Sequence, residues 1–334
     1  MKIGIVNDLP LAVEAMRRVL ALRPEHRVLW VATGGAQAVE LCVTQPPDLV
    51  LMDLVMPHFD GVEATRRIMA RAPCAILVVT SSVGANAWRV FEAMGAGALD
   101  AVDTPTLVDG GPERTAQPLL TKIDQISRLL TNPPAYGQPA SAAPQRGLPP
   151  LVAIGASAGG PSALATVLGK LPADFGAAIV IVQHVDQAFA HGMAQWLAGQ
   201  TRLSVRTAAE GDRPRPGEAL LAATNDHLVM TRSGTLGYVR EPVETPYRPS
   251  VDVFFHSVVE HWGGSAVGVL LTGMGRDGAI GLKAMRVKGY PTIAQDEASS
   301  AVYGMPKAAA ALQAARLILP LESIADELMA VIKR

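Results

Sequence analysis

Cysteine, aromatic side chains and charge are all scarce in this chain. Its 334 residues include two cysteines, Cys42 and Cys74. That is too few for a disulfide framework and fits a reducing, cytosolic setting. Aromatic residues make up 4%, which argues against a broad base-stacking surface for single-stranded nucleic acid. Charged residues make up 18%, with 29 Lys+Arg against 30 Asp+Glu and a formal net charge of -1. The basic field that DNA or RNA binding needs is therefore missing. No apolar run approaches the roughly 18 residues of a membrane span. Asn7, Asp8 and Pro10 interrupt MKIGIVNDLP where a signal peptide would be apolar. The expectation is a cytoplasmic chain with no nucleic-acid partner and no membrane insertion.

What is abundant is aliphatic sequence: 49% of residues are hydrophobic, enough for large buried cores, and the length suits two domains. Over the first 105 residues short apolar runs alternate with helical patterns. The runs are KIGIV (2–6), VLWV (28–31), DLVLM (48–52), AILVV (75–79) and ALDAV (98–102). Strands alternating with helices predict right-handed crossovers and a parallel sheet covered on both faces. A helical pattern through Leu119, Ile123, Ile126 and Leu130 follows, and then NPPAYGQPASAAPQRGLPP, which reads as a proline-rich linker. A second alternation begins at Leu151 with LVAIG, AAIVIVQ (177–183), LSVRTA (203–208), AVGVLL (266–271) and PTIAQ (291–295). GEALLAA and HLVMT, within a Gly-, Pro- and Thr-richer stretch, are expected to be antiparallel strands. The expectation is thus α/β: two doubly wound parallel-sheet domains, at residues 1–131 and 150–334, joined by a linker at 132–149. The second is Rossmann-like with a small β insertion.

In open parallel sheets, ligands sit beyond the carboxyl ends of the strands. Asp8 follows the first strand, Asp53 ends the third, and Thr80 ends the fourth. Two carboxylates and a hydroxyl on one rim suit Mg²⁺, and an Asp beside such a metal is able to attack a phosphoryl group. The alternative is that both acids only cap helices or end strands. On the second sheet, Ser157 lies just past LVAIG in GASAGGP, His184 directly follows AAIVIVQ, and Asp277 follows AVGVLL through TGMGRDG. Ser, His and Asp at one rim form the grouping that activates a hydroxyl nucleophile. The helix after Gly160 points N–H groups toward the same spot. Each residue alone also reads as a cap or a structural side chain. His191, His227, His256 and His261 lack metal-ligand spacing.

Gly273-Met274-Gly275-Arg276-Asp277-Gly278 also matches G-x-G-x-x-G between a strand and a helix, with Asp296 placed where a ribose-binding acid would fall. Against dinucleotide binding, Asp277 would face the pyrophosphate, and like charges at about 4 Å repel by roughly 1–4 kcal/mol. The segment RPSVD admits two readings: Arg248 and Asp252 line a substrate cleft, or they pair with each other.

The strings themselves carry a resemblance. VND (6–8), LMDLVMPHFDG (51–61), VVTS (78–81) and GALDAVDTP (97–105) resemble the response-regulator receiver domain, flavodoxin-like in fold. VAIGASAGGP, IVQHV, RPSVDVFF, LLTGMGRDGAIGL and QDEASSAVYGMPKAA resemble the catalytic domain of the chemotaxis protein-glutamate methylesterases, the CheB family. This resemblance implies Asp53 as phospho-acceptor, with Mg²⁺ held by Asp8, Asp53 and the Val55 backbone carbonyl, and Thr80 as switch hydroxyl. It also implies Ser157 as nucleophile, His184 as general base and then acid, Asp277 as its orienting carboxylate, and the Met274 N–H as oxyanion donor. The esterase itself needs no cofactor. The implied reactions are hydrolysis of glutamate γ-methyl esters and glutamine deamidation on a chemoreceptor-like protein, with a CheA-type histidine kinase as phosphodonor. Two positions depart from the pattern: Asn7 stands where receivers carry an acid, and Thr104 where they carry a lysine. With VNDLPLAVEAMRR, these resemble the WspF branch, which serves surface sensing. The rival classes are a DNA-binding response regulator, which would carry a short basic helix-turn-helix output, an NAD oxidoreductase, and a non-enzymatic adaptor.

Overall fold

A computed structural model describes residues 1–56, 59–83, 86–106, 112–131, 148–245 and 247–333. The chain divides into two compact units, Met1–Asn132 and Pro133–Arg334. Most of the expected linker, at 132–147, lies outside the described residues.

In the first unit the order is β1 (Lys2–Val6), α1 (Pro10–Ala21), β2 (Arg27–Ala32), α2 (Gly35–Thr44), β3 (Leu49–Met52), α3 (Gly61–Arg71), β4 (Ala75–Thr80), α4 (Ala87–Gly95), β5 (Asp100–Asp103) and α5 (Pro112–Thr131). The five strands are parallel in the order β2-β1-β3-β4-β5. β3 and β4 are buried along their whole length, as continuous apolar runs covered on both faces must be. α5 buries Leu119, Ile123 and Ile126, three of the residues that marked its face in the sequence. The order of connection reverses between β1 and β3, and a crevice opens there beyond the strand ends.

The second unit runs β6 (Leu151–Ala156), α6 (Gly160–Lys170), β7 (Ala178–Gln183), α7 (Gln187–Ala198), β8 (Ser204–Thr207), β9 (Glu218–Leu221), β10 (His227–Met230) and β11 (Leu236–Val239). It continues with α8 (Val251–His261), β12 (Ala266–Leu270), α9 (Ala279–Val287), β13 (Thr292–Gln295), α10 (Met305–Ala311), β14 (Leu317–Leu319) and α11 (Leu321–Ile332). Seven strands form one parallel sheet, β14-β13-β12-β6-β7-β9-β8, and β10 and β11 form a separate antiparallel ribbon. The crevice of this sheet lies between β6 and β12.

One expectation is corrected, and one strand was not foreseen. GEALLAA does not make an antiparallel strand, because β9 pairs parallel with both β7 and β8. The crossover through α7 leaves one vacant place beside β7. The run EALL, buried at its last three residues, fills that interior position, where an unbroken apolar strand belongs. The edge strand β14 went unforeseen because it is three residues long and half exposed.

Candidate functional site

On the first sheet, Asp53 follows β3 and is buried. Its Oδ1 accepts from the Val55 N–H at 3.3 Å, and its Oδ2 from Asn7 Nδ2 at 3.1 Å. Burial pushes the Asp53 carboxyl above the usual carboxylate range. The Asp8 charge adds to that push, and the N–H groups of Val55 and Leu54 offset part of it. Asp8 is half-buried at the end of β1. Gly61 makes the turn possible, since a Cβ there would stand 2.0 Å from the Asp53 carbonyl oxygen.

Asn7 behaves differently from a metal-ligating acid. Its carbonyl oxygen is taken by the Leu9 N–H at 2.8 Å, and its amide faces Asp53. Thr80 is fully buried and its Oγ1 accepts from Asn86 Nδ2 at 3.2 Å. The Thr104 N–H donates to the Thr80 carbonyl at 2.8 Å, which ties the lysine-less position to the end of β4. Two neighbouring carboxylates, Asp8 and Asp53, both hard oxygen donors, fit a small divalent cation such as Mg²⁺.

On the second sheet, the strand ends bring Ser157 and His184 side by side. The Ser157 N–H donates to the Thr272 carbonyl at 3.0 Å, and the His184 N–H to the Ala156 carbonyl at 3.1 Å. Gln183, fully buried at the end of β7, ties the two together. Its Nε2 donates to the Ser157 carbonyl at 2.9 Å and to the His184 carbonyl at 3.1 Å. The His184 ring is held edge and face: Nε2 lies 2.7 Å from Asp277 Oδ2, and the ring stacks on Tyr247 at 4.4 Å and 9°. His184 Nδ1 and Ser157 Oγ are both buried and make no hydrogen bond. A buried polar atom left unbonded is costly, so two of them on adjacent strand ends mark a place kept for reacting atoms.

Asp277 is secured on both oxygens by the start of α8. Its Oδ1 accepts from Ser250 Oγ at 2.8 Å and from the Asp252 N–H at 3.0 Å, and its Oδ2 from the Val251 N–H at 2.7 Å. The carboxylate thus caps the first turn of α8, where exposed N–H groups favour negative charge. Burial alone would raise its pKa. The His184 hydrogen bond, the imidazole charge and the two α8 N–H groups outweigh burial and hold the carboxyl below its usual range.

Met274 sits half-buried after β12. The Gly273 carbonyl accepts from the Gly304 and Met305 N–H groups at 3.0 and 2.8 Å. In a trans peptide the N–H points opposite the C=O, so the Met274 N–H is turned away from α10. A Cβ on Gly273 would come within 2.8 Å of Ser157 Cβ, so this peptide borders the serine.

Sequence reasoning missed Gln183, Tyr247 and Ser250. The Ser250 position carried one usable signal: a serine directly before an apolar helical run is an N-cap, and Ser250 does cap α8, accepting from the Val253 N–H. The RPSVD pairing is corrected. Among the described residues no ion pair joins Arg248 to Asp252, whose Oδ1 instead accepts from the Gly281 N–H at 2.7 Å. That contact bears on dinucleotide binding too, because the first turn of α9, where a pyrophosphate would sit, already holds a carboxylate. His227 is structural: Nδ1 accepts from the Ser250 N–H at 3.1 Å and Nε2 lies 3.0 Å from the Pro242 carbonyl.

Fold and sites together define a two-domain α/β protein. It combines an acidic receiver-type pocket with a hydroxyl–imidazole–carboxylate rim of the hydrolase kind. The chain belongs to the CheB methylesterase family: that family matches residues 152–328, and the response regulator receiver domain matches residues 3–108. Protein-glutamate methylesterase/protein-glutamine glutaminase 2 of Burkholderia orbicola is 74% identical, over 99% of both chains. Protein-glutamate methylesterase/protein-glutamine glutaminase 4 of Burkholderia thailandensis is 72% identical, over 100% of this chain and 98% of its own. The crystal structure of the Thermotoga maritima CheB methylesterase catalytic domain superposes with a TM-score of 0.53 at 31% identity. It covers 55% of this chain and 99% of its own.

Proposed function

We propose that this chain is a response-regulator protein-glutamate methylesterase. It hydrolyses glutamate γ-methyl esters, and deamidates glutamines, on the cytoplasmic helices of a chemoreceptor-like protein. Residues 1–131 act as receiver, 132–149 as linker and 150–334 as catalytic domain. The observation that carries the reading is the pair of buried, unbonded atoms Ser157 Oγ and His184 Nδ1, beside an imidazole whose Nε2 is anchored on Asp277.

With Nε2–H donated to Asp277, Nδ1 is left as the acceptor. It takes the Ser157 proton as Oγ attacks the ester carbonyl, and Asp277 stabilises the imidazolium so formed. The Met274 N–H, beside Ser157, serves the developing oxyanion. As the tetrahedral intermediate collapses and the C–O bond breaks, the imidazolium gives its proton to the leaving methoxy oxygen, which departs as methanol; for a glutamine the C–N bond breaks and the leaving nitrogen departs as ammonia. A water, deprotonated by His184, releases the carboxylate from the acyl-enzyme.

In the receiver, Asp53 takes a phosphoryl group from a CheA-type histidine kinase. Mg²⁺ would be held by the carboxylates of Asp8 and Asp53 and, by resemblance, the Val55 carbonyl. When bound it supplies positive charge against the phosphoryl oxygens. Thr80 is the switch hydroxyl, and phosphorylation shifts an equilibrium that opens the Ser157 cleft. Asn7 and Thr104, where receivers usually carry an acid and a lysine, support assigning the chain to the WspF-like, surface-sensing branch. The chain works in the cytoplasm, and among the described residues no helix is long and apolar enough to cross a membrane. The test is methanol release from a methylated receptor, with and without a small-molecule phosphodonor. Absence of methanol under both conditions would remove the esterase reading.

A further inference from the structure

We propose that Asp252 is a positioning residue for the esterase: it fixes Asp277 from both sides and, through Asp277, the His184 ring. The proposal rests on the Ser157–His184–Asp277 reading and adds a residue to it.

The two helices exchange acids. Asp277 directly precedes the Gly278 cap of α9, yet its carboxylate is bound at the start of α8. Asp252 is the second residue of α8, yet its carboxylate is bound at the start of α9. There it accepts from the Gly281 N–H at 2.7 Å and also meets the Gly278 and Ile280 N–H groups. One residue therefore grips Asp277 twice. The Asp252 N–H holds the Asp277 carboxylate at 3.0 Å, and the Asp252 side chain holds the backbone that leaves Asp277.

The helices leave little room for slack. A Cβ on Gly281 would lie 2.7 Å from Phe255 Cβ and 3.0 Å from the Asp252 carbonyl oxygen. Gly278 has φ 85°, and a Cβ there would meet Leu270 and Val251. Asp252 is 1% exposed. Burial, and next the Asp277 charge, push its carboxyl well above the usual range, while Asp277 is held below its own. Of the two acids, Asp277 keeps the negative charge that faces the imidazole. The groups facing this charge are His184, Ser250 Oγ and the N–H groups of Val251 and Asp252, with His227 behind Ser250.

The experiment uses the full chain with Asp252→Ala, Asp252→Ser and Asp252→Asn. Three quantities are read: kcat and KM for methanol release, thermal unfolding, and the pH midpoint of Ser157 labelling by a fluorophosphonate. Misplacement of a catalytic group by about 1 Å costs on the order of 100-fold. Asp252→Ala and Asp252→Ser should therefore lower kcat per folded molecule by roughly 10- to 100-fold, with KM changed less than about threefold, and should displace the labelling midpoint. Asp252→Asn keeps an oxygen for the Gly281 N–H and should restore most of kcat and the wild-type midpoint. If Asp252→Ala does not fold, Asp252→Ser against Asp252→Asn carries the comparison. Unchanged kcat per folded molecule and an unchanged midpoint in the Ala or Ser variant would overturn the proposal, leaving Asp252 a purely structural residue. Failure of the underlying reading looks different: wild type would resist the fluorophosphonate and Ser157→Ala would keep its turnover, whatever Asp252 does.

Discussion

Replacing Asp277 by asparagine changes one atom and removes one charge, and the surrounding donors set the cost of that change. The carboxylate accepts four hydrogen bonds, from His184 Nε2, Ser250 Oγ, and the N–H groups of Val251 and Asp252. An amide has one oxygen to offer them. If that oxygen replaces Oδ1, the amide nitrogen faces His184 Nε2 and the Val251 N–H. The ring then carries its proton on Nδ1, the atom that must accept from Ser157. If the amide flips, the correct tautomer survives, but nitrogen meets the Asp252 N–H and a buried donor goes unmatched at about 1–3 kcal/mol. Either way the charge opposite the imidazolium is gone, and a charge-assisted hydrogen bond is worth about 1.5–3 kcal/mol. At 1.36 kcal/mol per decade, the second orientation costs about 10²-fold in kcat. The wrong tautomer approaches the roughly 10⁴-fold seen when an orienting Asp is amidated in a serine protease. Asp277→Asn should therefore lower kcat for methanol release by about 10²- to 10⁴-fold with KM little changed. Turnover within threefold of wild type would refute the role assigned to this carboxylate.

Ser157→Ala should abolish methanol release and leave the unfolding midpoint close to wild type, because the lost Oγ makes no hydrogen bond; wild-type turnover would remove Ser157 from the mechanism. Gly61→Ala should block phosphodonor labelling of Asp53, since its Cβ would displace the Asp53 carbonyl from 2.0 Å; mass spectrometry of the phosphorylated chain checks this. Thr104→Lys should raise the phosphodonor-dependent gain in esterase rate by restoring a charge-assisted bond of about 1.5–3 kcal/mol; an unchanged gain would show that another group already does the lysine's work. Stability should carry two opposite pH signatures. Asp277, whose folded pKa is lowered, contributes stability that is present above the unfolded carboxylate pKa of about 3.9 and is lost as pH falls through the folded value. Asp252, whose folded pKa is raised, binds its proton more tightly in the native state, so wild type should lose stability relative to Asp252→Asn as pH rises from about 4. Urea unfolding of both proteins from pH 4 to 8 measures that difference, and parallel curves would contradict it.

The sequence alone determined a great deal here, because period and position are local properties. Unbroken apolar runs such as AILVV and AAIVIVQ announce strands buried on both faces, and helical spacing between them imposes a parallel sheet. Once the sheet is parallel, residues in the loops that follow strands share a rim, which is why Asp8 with Asp53, and Ser157 with His184 and Asp277, could be grouped from the sequence. Only the tertiary structure decided matters of partner and direction. The sheet order put β9 between β7 and β8, a place no property of GEALLAA encodes. The tertiary structure set which nitrogen of His184 meets Asp277, and the approach of α8 to α9 made Asp252 a ligand of the α9 first turn rather than of Arg248. It also laid Tyr247, 63 residues away in the chain, flat against the His184 ring. Those outcomes depend on contacts between distant segments, and no window of sequence contains both partners.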